Sequence, residues 1–237
     1  YGTVPFTLGN RMGLRSALVT GPGSLGVSFG SLTVGSNAAV TVDNAGKMVV
    51  SNGATLNSYG TVPYCLLLTN GGQIYYTNSF TVGNASSSNR TLITGNGSML
   101  QGPGDTLSGS SWSYWGAGGV ANTLQIENGG AFSNARLLVY GPTTVTITNG
   151  GRCYPTVLYG GNRGLIKVVG GAGVTSLVYG VAGGGFNLTS LCSTGVIDGV
   201  GSDGSAVVTM PLYLGNGSGN YGNVLIVTNK GRLYCSG

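Results

Sequence analysis

The chain has 237 residues, 47 of them Gly, and only 6 % are charged, against about 7 % Gly and about 25 % charged residues in an ordinary soluble domain. Ten Lys and Arg face five Asp and Glu, so the net charge of +5 reflects a scarcity of acids rather than a basic face, and nucleic-acid binding loses its main support. There is no His, which excludes His-dependent triads and His metal sites.

In chain order, two short motifs alternate. One is an apolar or Thr run closed by Gly: Phe6-Thr7-Leu8-Gly9, Leu32-Thr33-Val34-Gly35, Phe80-Thr81-Val82-Gly83, Leu138-Val139-Tyr140-Gly141, Val157-Leu158-Tyr159-Gly160, Leu177-Val178-Tyr179-Gly180 and Leu212-Tyr213-Leu214-Gly215, with Tyr59-Gly60 and Trp115-Gly116 as reduced copies. The other alternates apolar and polar residues into an Asn-Gly or Gly-Gly turn. Leu66 to Gly72, Leu124 to Gly130 and Val145 to Gly151 are the clearest copies, with Val40 to Gly46, Thr91 to Gly97 and Leu225 to Gly231 close to them and Ala17 to Gly23 and Ile166 to Gly171 looser. Its turn position falls at 21, 44, 70, 95, 128, 149, 170 and 229, and a degenerate copy at Gly199-Val200-Gly201 divides the one double gap. The mean spacing of ~26 residues lies in the solenoid range.

Each unit therefore reads as a short strand, a loop, an alternating strand, a sharp turn and a variable return segment. No window free of Gly carries helical periodicity, and no apolar stretch reaches the roughly 18 residues of a membrane span. The same two motifs returning in one order specify an all-β fold, a β-solenoid of about nine stacked coils in one domain over residues 1–237. At about 4.8 Å per coil it is a rod of roughly 43 Å. Gly72, Gly130, Gly151 and Gly231 close equivalent corners, and some of them are expected at positive φ.

These Asn-Gly-Gly-punctuated repeats resemble those of large bacterial surface and autotransporter-passenger proteins, which form right-handed parallel β-helices of the pectate-lyase-like type, and the resemblance implies a right-handed parallel β-helix here. The resemblance spans the chain on short motifs. It implies an extracellular or cell-surface scaffold, adhesin stalk or fibre, and points to no active site.

Catalysis finds little to work with. Asp43 and Glu127 share one repeat position but lie about three strand spacings, or 14 Å, apart, beyond a glycosidase carboxylate pair. Asp198 and Asp203 could bend round a calcium ion but supply only two carboxylates. No catalytic residue, metal or cofactor is assigned. Cys65, Cys153, Cys192 and Cys235 contain no Cys-x-x-Cys pair and share no ladder position, so at most one intrachain disulfide is expected, with Cys235 a candidate for a bridge between subunits.

Binding has two candidate regions. Trp112, Tyr114 and Trp115 sit in the Ser-Gly-Ser-Ser insertion that lengthens the unit between the turns at 95 and 128 and form the candidate contact loop. Tyr140, Tyr159 and Tyr179 recur at one motif position in three successive coils as a candidate aromatic ladder, able either to stack sugars of surface glycans or to brace the coils. Thr-x-Thr rows of the ice-binding kind do not continue between coils. Neither end carries a polar cap: Tyr1-Gly2-Thr3-Val4-Pro5 recurs at Tyr59-Gly60-Thr61-Val62-Pro63, and Leu225 to Tyr234 is close to Leu66 to Tyr75. The expected partner is a second copy in a head-to-tail filament, the alternatives being a piece of a longer solenoid or a carbohydrate-active or carbohydrate-binding β-helix.

Overall fold

The computed structural model describes residues 5–9, 14–28, 30–58, 62–84, 88–103, 112–180, 184–200, 205–215 and 221–235. Among them there is no helix, and every strand pairing is parallel. The strands stack in three rows, one from each side of the coil, and each row has nine rungs. Val, Ile, Thr and aromatic residues occupy the rungs because branched side chains fit a pleated, half-buried surface.

The first row runs Phe6–Leu8, Leu32–Val34, Ala54–Leu56, Phe80–Val82, Trp112–Trp115, the second half of Ala131–Val139, the second half of Arg152–Gly160, Phe186–Leu188 and Leu212–Leu214. The second runs Arg15–Thr20, Ala38–Asp43, Leu66–Leu68, Arg90–Thr94, Thr123–Glu127, Thr144–Thr148, Leu165–Val169, Thr194–Asp198 and Val224–Thr228. The third runs Leu25–Ser28, Lys47–Val50, Gln73–Tyr76, Met99–Gln101, the first halves of the two long strands, Thr175–Tyr179, Ser205–Thr209 and Arg232–Tyr234. Ala131–Val139 and Arg152–Gly160 each carry the third side of one coil straight into the first side of the next, which joins the outer two rows into one sheet.

The second row confirms the repeat spacing at every rung. Ala17, Val40, Leu66, Thr91, Leu124, Val145, Ile166, Gly195 and Leu225 lie in one column, and the degenerate copy at Gly199 is a true coil. The return segment is a strand, not a variable connection. Inward residues stack without interruption, as in Val42, Leu68, Ile93, Ile126, Ile147, Val168 and Ile197, all buried. Each coil thus removes its neighbour's apolar face from water, the largest favourable contribution to holding such a stack together.

The first row departs from the sequence alignment at several coils. The third copy is Ala54–Leu56, while Tyr59 and Gly60 lie outside the described residues. The sixth and seventh copies are offset from each other by two residues: Leu138, not Tyr140, is paired with Tyr159, and Val139, not Gly141, with Gly160. Leu177-Val178-Tyr179 belongs to the third row, paired with Val207-Val208-Thr209, and Phe186–Leu188 takes its place in the first.

Candidate functional site

The corner between the second and third rows is the most regular feature of the surface. At Asn70-Gly71, Asn128-Gly129 and Asn149-Gly150 both residues have positive φ, 48° and 82°, 52° and 82°, 45° and 81°, the pattern of a type I′ turn. The expectation of positive φ at Gly72, Gly130, Gly151 and Gly231 is wrong: the left-handed residues are the two before each of them. These glycines are required by close approach instead. A Cβ on Gly72 would lie 2.0 Å from the Val42 carbonyl oxygen, on Gly130 2.5 Å from that of Ile93, on Gly151 2.1 Å from that of Ile126 and on Gly231 2.2 Å from that of Ile197.

Side chains at this corner bond along the rod. The Asn70 amide donates to Asp43 Oδ1 (3.0 Å), Asn128 to Thr94 Oγ1 (3.1 Å), Asn149 to Asn128 Oδ1 and Asn229 to Asp198 Oδ1 (2.9 Å). Glu127 accepts from Gln125 (2.5 Å) and Asn128 (3.3 Å). The three described acids are therefore acceptors for corner amides; Asp105 and Asp203, and with Asp203 the calcium loop, lie outside the described residues. Beside this ladder runs an open groove of about 520 Å³, its walls including Asn96, Asn128, Asn149, Arg152, Val174 and Thr175.

The candidate contact loop is not a loop. Trp112–Trp115 is the fifth rung of the first row, and its alternation sends Trp115 into the core, fully buried, while Trp112 and Tyr114 face outward. Trp115 stacks 5.8 Å from Phe80 and meets Phe132 edge-on at 5.7 Å. The Ser-rich insertion before it lies outside the described residues.

The aromatic ladder is also regrouped. Tyr114 is 6.4 Å from Tyr140, which is 6.2 Å from Tyr159. Trp112 is 6.1 Å from Tyr114 on one side and carries the Arg136 guanidinium 4.4 Å above its ring. The outward Leu138, in register with Tyr114 and Tyr159, is buried beneath this cluster. Tyr179 is not a member; it lies on the third row, half exposed. Burial, with the neighbouring Tyr159 and Tyr114, holds the Tyr140 phenol above its ordinary pKa.

Sequence reasoning missed a buried polar cluster. The Tyr76 hydroxyl meets Ser113 Oγ at 2.6 Å, and the Asn134 amide donates to the same Ser113 oxygen at 2.7 Å. Tyr76 reaches Ser113, two coils away, because the intervening rung is Gly102, where a Cβ would lie 2.6 Å from the Tyr76 ring. All three side chains are buried, so the cluster is sealed from any substrate.

The four cysteines are free thiols, Cys65 and Cys153 buried, Cys192 and Cys235 exposed. Cys65 donates to the Arg90 carbonyl at 3.2 Å, and burial pushes its thiol from 9.0 up to about 12. Burial raises Cys153 as well.

Both ends of the stack present core positions to solvent. In the first coil Phe6, Leu8, Ala17 and Val19 point inward in register with buried Leu32, Val34, Val40 and Val42, yet none is buried. At the other end Leu214 and Val227, in register with buried Leu188 and Ile197, are 50 % and 46 % exposed. The first coil holds an apolar hollow of about 290 Å³ whose walls include Phe6, Ala17, Val19, Gly26, Ser28 and Met48.

Comparison with protein-family models, curated proteins and solved structures finds no match for the chain. Among the described residues, no helix is long and apolar enough to cross a membrane.

Proposed function

We propose that the protein is a structural β-solenoid of the cell surface or extracellular space whose copies stack end to end into a filament or stalk. The observation that carries this reading is the exposure of core-facing apolar residues at both ends, Phe6 and Val19 at one and Leu214 and Val227 at the other. Each end also presents a row of unpaired strand groups, which invites another strand. A contact between two different ends does not close on itself and so propagates. The corner acids support a structural rather than catalytic role, since each described carboxylate accepts a corner amide.

Negative-stain imaging and gel filtration across a range of concentrations test the proposal. Rods that lengthen with concentration are expected; a chain that stays monomeric at high concentration contradicts it.

A second reading, contact with glycans, is favoured by the corner groove. Its amides and the Arg152 guanidinium match the hydroxyl and carboxylate groups of an acidic saccharide. Calorimetry with an oligouronate tests it: binding that weakens at least tenfold in Arg152→Ala supports the reading, and absence of binding removes it.

A further inference from the structure

From the outward face of the first row we infer a binding site for a linear acidic saccharide, its sugar rings packed on Trp112, Tyr114, Tyr140 and Tyr159 and a carboxylate held by Arg136. The site lies on another side of the coil from the corner groove and does not depend on how copies assemble.

Strand pairing gathers these residues on three successive rungs. Tyr114, Leu138 and Tyr159 form one outward column, and Trp112, Arg136 and Val157 form the column beside it. Leu138, the shortest side chain of its column, is buried because the neighbouring rings lean over it. Gly161 makes room for the Tyr140 ring, since a Cβ there would lie 2.5 Å from it. Trp112, Tyr114, Tyr140 and Tyr159 are themselves only half-buried, so ring surface faces solvent across all three rungs.

The rings are turned alike. The planes of Trp112 and Tyr114 differ by 24° and those of Tyr114 and Tyr140 by 18°, and Tyr159 closes the row at 51° to Tyr140 with its hydroxyl 2.5 Å from Ser190 Oγ. Bracing the coils does not require such a row: on earlier rungs the column of Tyr114 is filled by Thr33, Thr55 and Thr81, and those coils stack equally well. An aromatic face carries the negative part of the ring quadrupole and attracts the C–H face of a sugar ring, while the phenols donate to and accept from its hydroxyls.

Charge selects the kind of saccharide. The Arg136 guanidinium lies 4.4 Å from the Trp112 ring centroid, a contact that fixes one of its faces and leaves its N–H edge for a carboxylate. The described acids, Asp43, Glu127 and Asp198, all end second-row strands at the far corner of the coil, so the positive charge on this face is met by a ligand rather than by one of them. One guanidinium beside four rings suits a sugar chain with a carboxylate. A single-stranded nucleic acid would stack its bases on the same rings but needs a row of cations along its phosphates.

The chain has two Trp, and Trp115 is fully buried, so acrylamide quenching of tryptophan fluorescence reports on Trp112. The test adds a β-linked tetraglucuronate, cellotetraose as its counterpart without carboxylates, and oligothymidylate. The tetraglucuronate is expected to shield Trp112 from acrylamide and, by calorimetry, to bind about tenfold more tightly than cellotetraose. Tyr140→Ala and Arg136→Gln should each weaken it by about tenfold, Tyr140→Phe should keep most of the affinity, and Arg152→Ala in the corner groove should leave the shielding unchanged. Binding that Arg152→Ala abolishes, without shielding of Trp112, puts the saccharide in the corner groove and overturns this site alone. Equal affinity for cellotetraose, or preference for oligothymidylate, overturns the assignment of an acidic saccharide, and no binding of either saccharide overturns this site and the groove reading together.

Discussion

Ala45 shows what the corner asks of a single residue. It occupies the place of Gly71, Gly129 and Gly150 with φ of 59°, where a side chain costs roughly 1–2 kcal/mol. Ala45→Gly is therefore expected to stabilise the protein by about 0.5–1 kcal/mol after the added freedom of the unfolded chain is counted, measured by urea denaturation. Gly130→Val should do the opposite and cost about 2–3 kcal/mol, because its Cβ meets the Ile93 and Glu127 carbonyls. The sequence pattern located these corners but not the reason for their third glycine, since a turn and a close approach both read as Gly. Trp115 carries a similar lesson. Its place beside Trp112 and Tyr114 suggested one contact loop, and strand alternation divides the three between core and surface.

Between coils, the corner amides work as one element. Asn70→Asp keeps a residue that tolerates positive φ while replacing the donor to Asp43 with a second carboxylate. The expected loss is about 1–2 kcal/mol, shrinking as salt screens the pair. Equal loss at low and high salt would place the effect in the backbone. The buried thiols give a pH signature with a definite sign. Cys65 binds its proton more tightly in the fold, about 12 against 9.0, and Cys153 is raised too. Their contribution is fully present below pH 9 and is lost as pH rises toward 12, by at most about 1.4 kcal/mol per pH unit for each thiol. Cys153→Ala should lower stability at pH 7 yet show a shallower decline between pH 9 and 11 in denaturation midpoints. The second-row strands were legible because Asn or Gly punctuates them at every coil. The third row was hidden: Gln73–Tyr76 alternates as a strand should, but Ala131–Val139 and Arg152–Gly160 run on without a turn, and insertions elsewhere blur the period. Leu177-Val178-Tyr179-Gly180 repeats the letters of the first-row motif while lying in the third row, so composition alone misplaced Tyr179.

For the whole molecule, the assembly proposed above joins copies by the same kind of contact that joins coils. Continuous stacking then fixes a length. Nine rungs at about 4.8 Å give one subunit for every 43 Å or so of filament, with no break in the strand stacking at the junction. Cryo-electron microscopy of polymers grown from the purified chain measures both. The expected result is a subunit rise of about 43 Å and uninterrupted strand layers across subunit boundaries. A markedly different rise, junctions between like ends, or a chain that never polymerises would contradict end-to-end stacking.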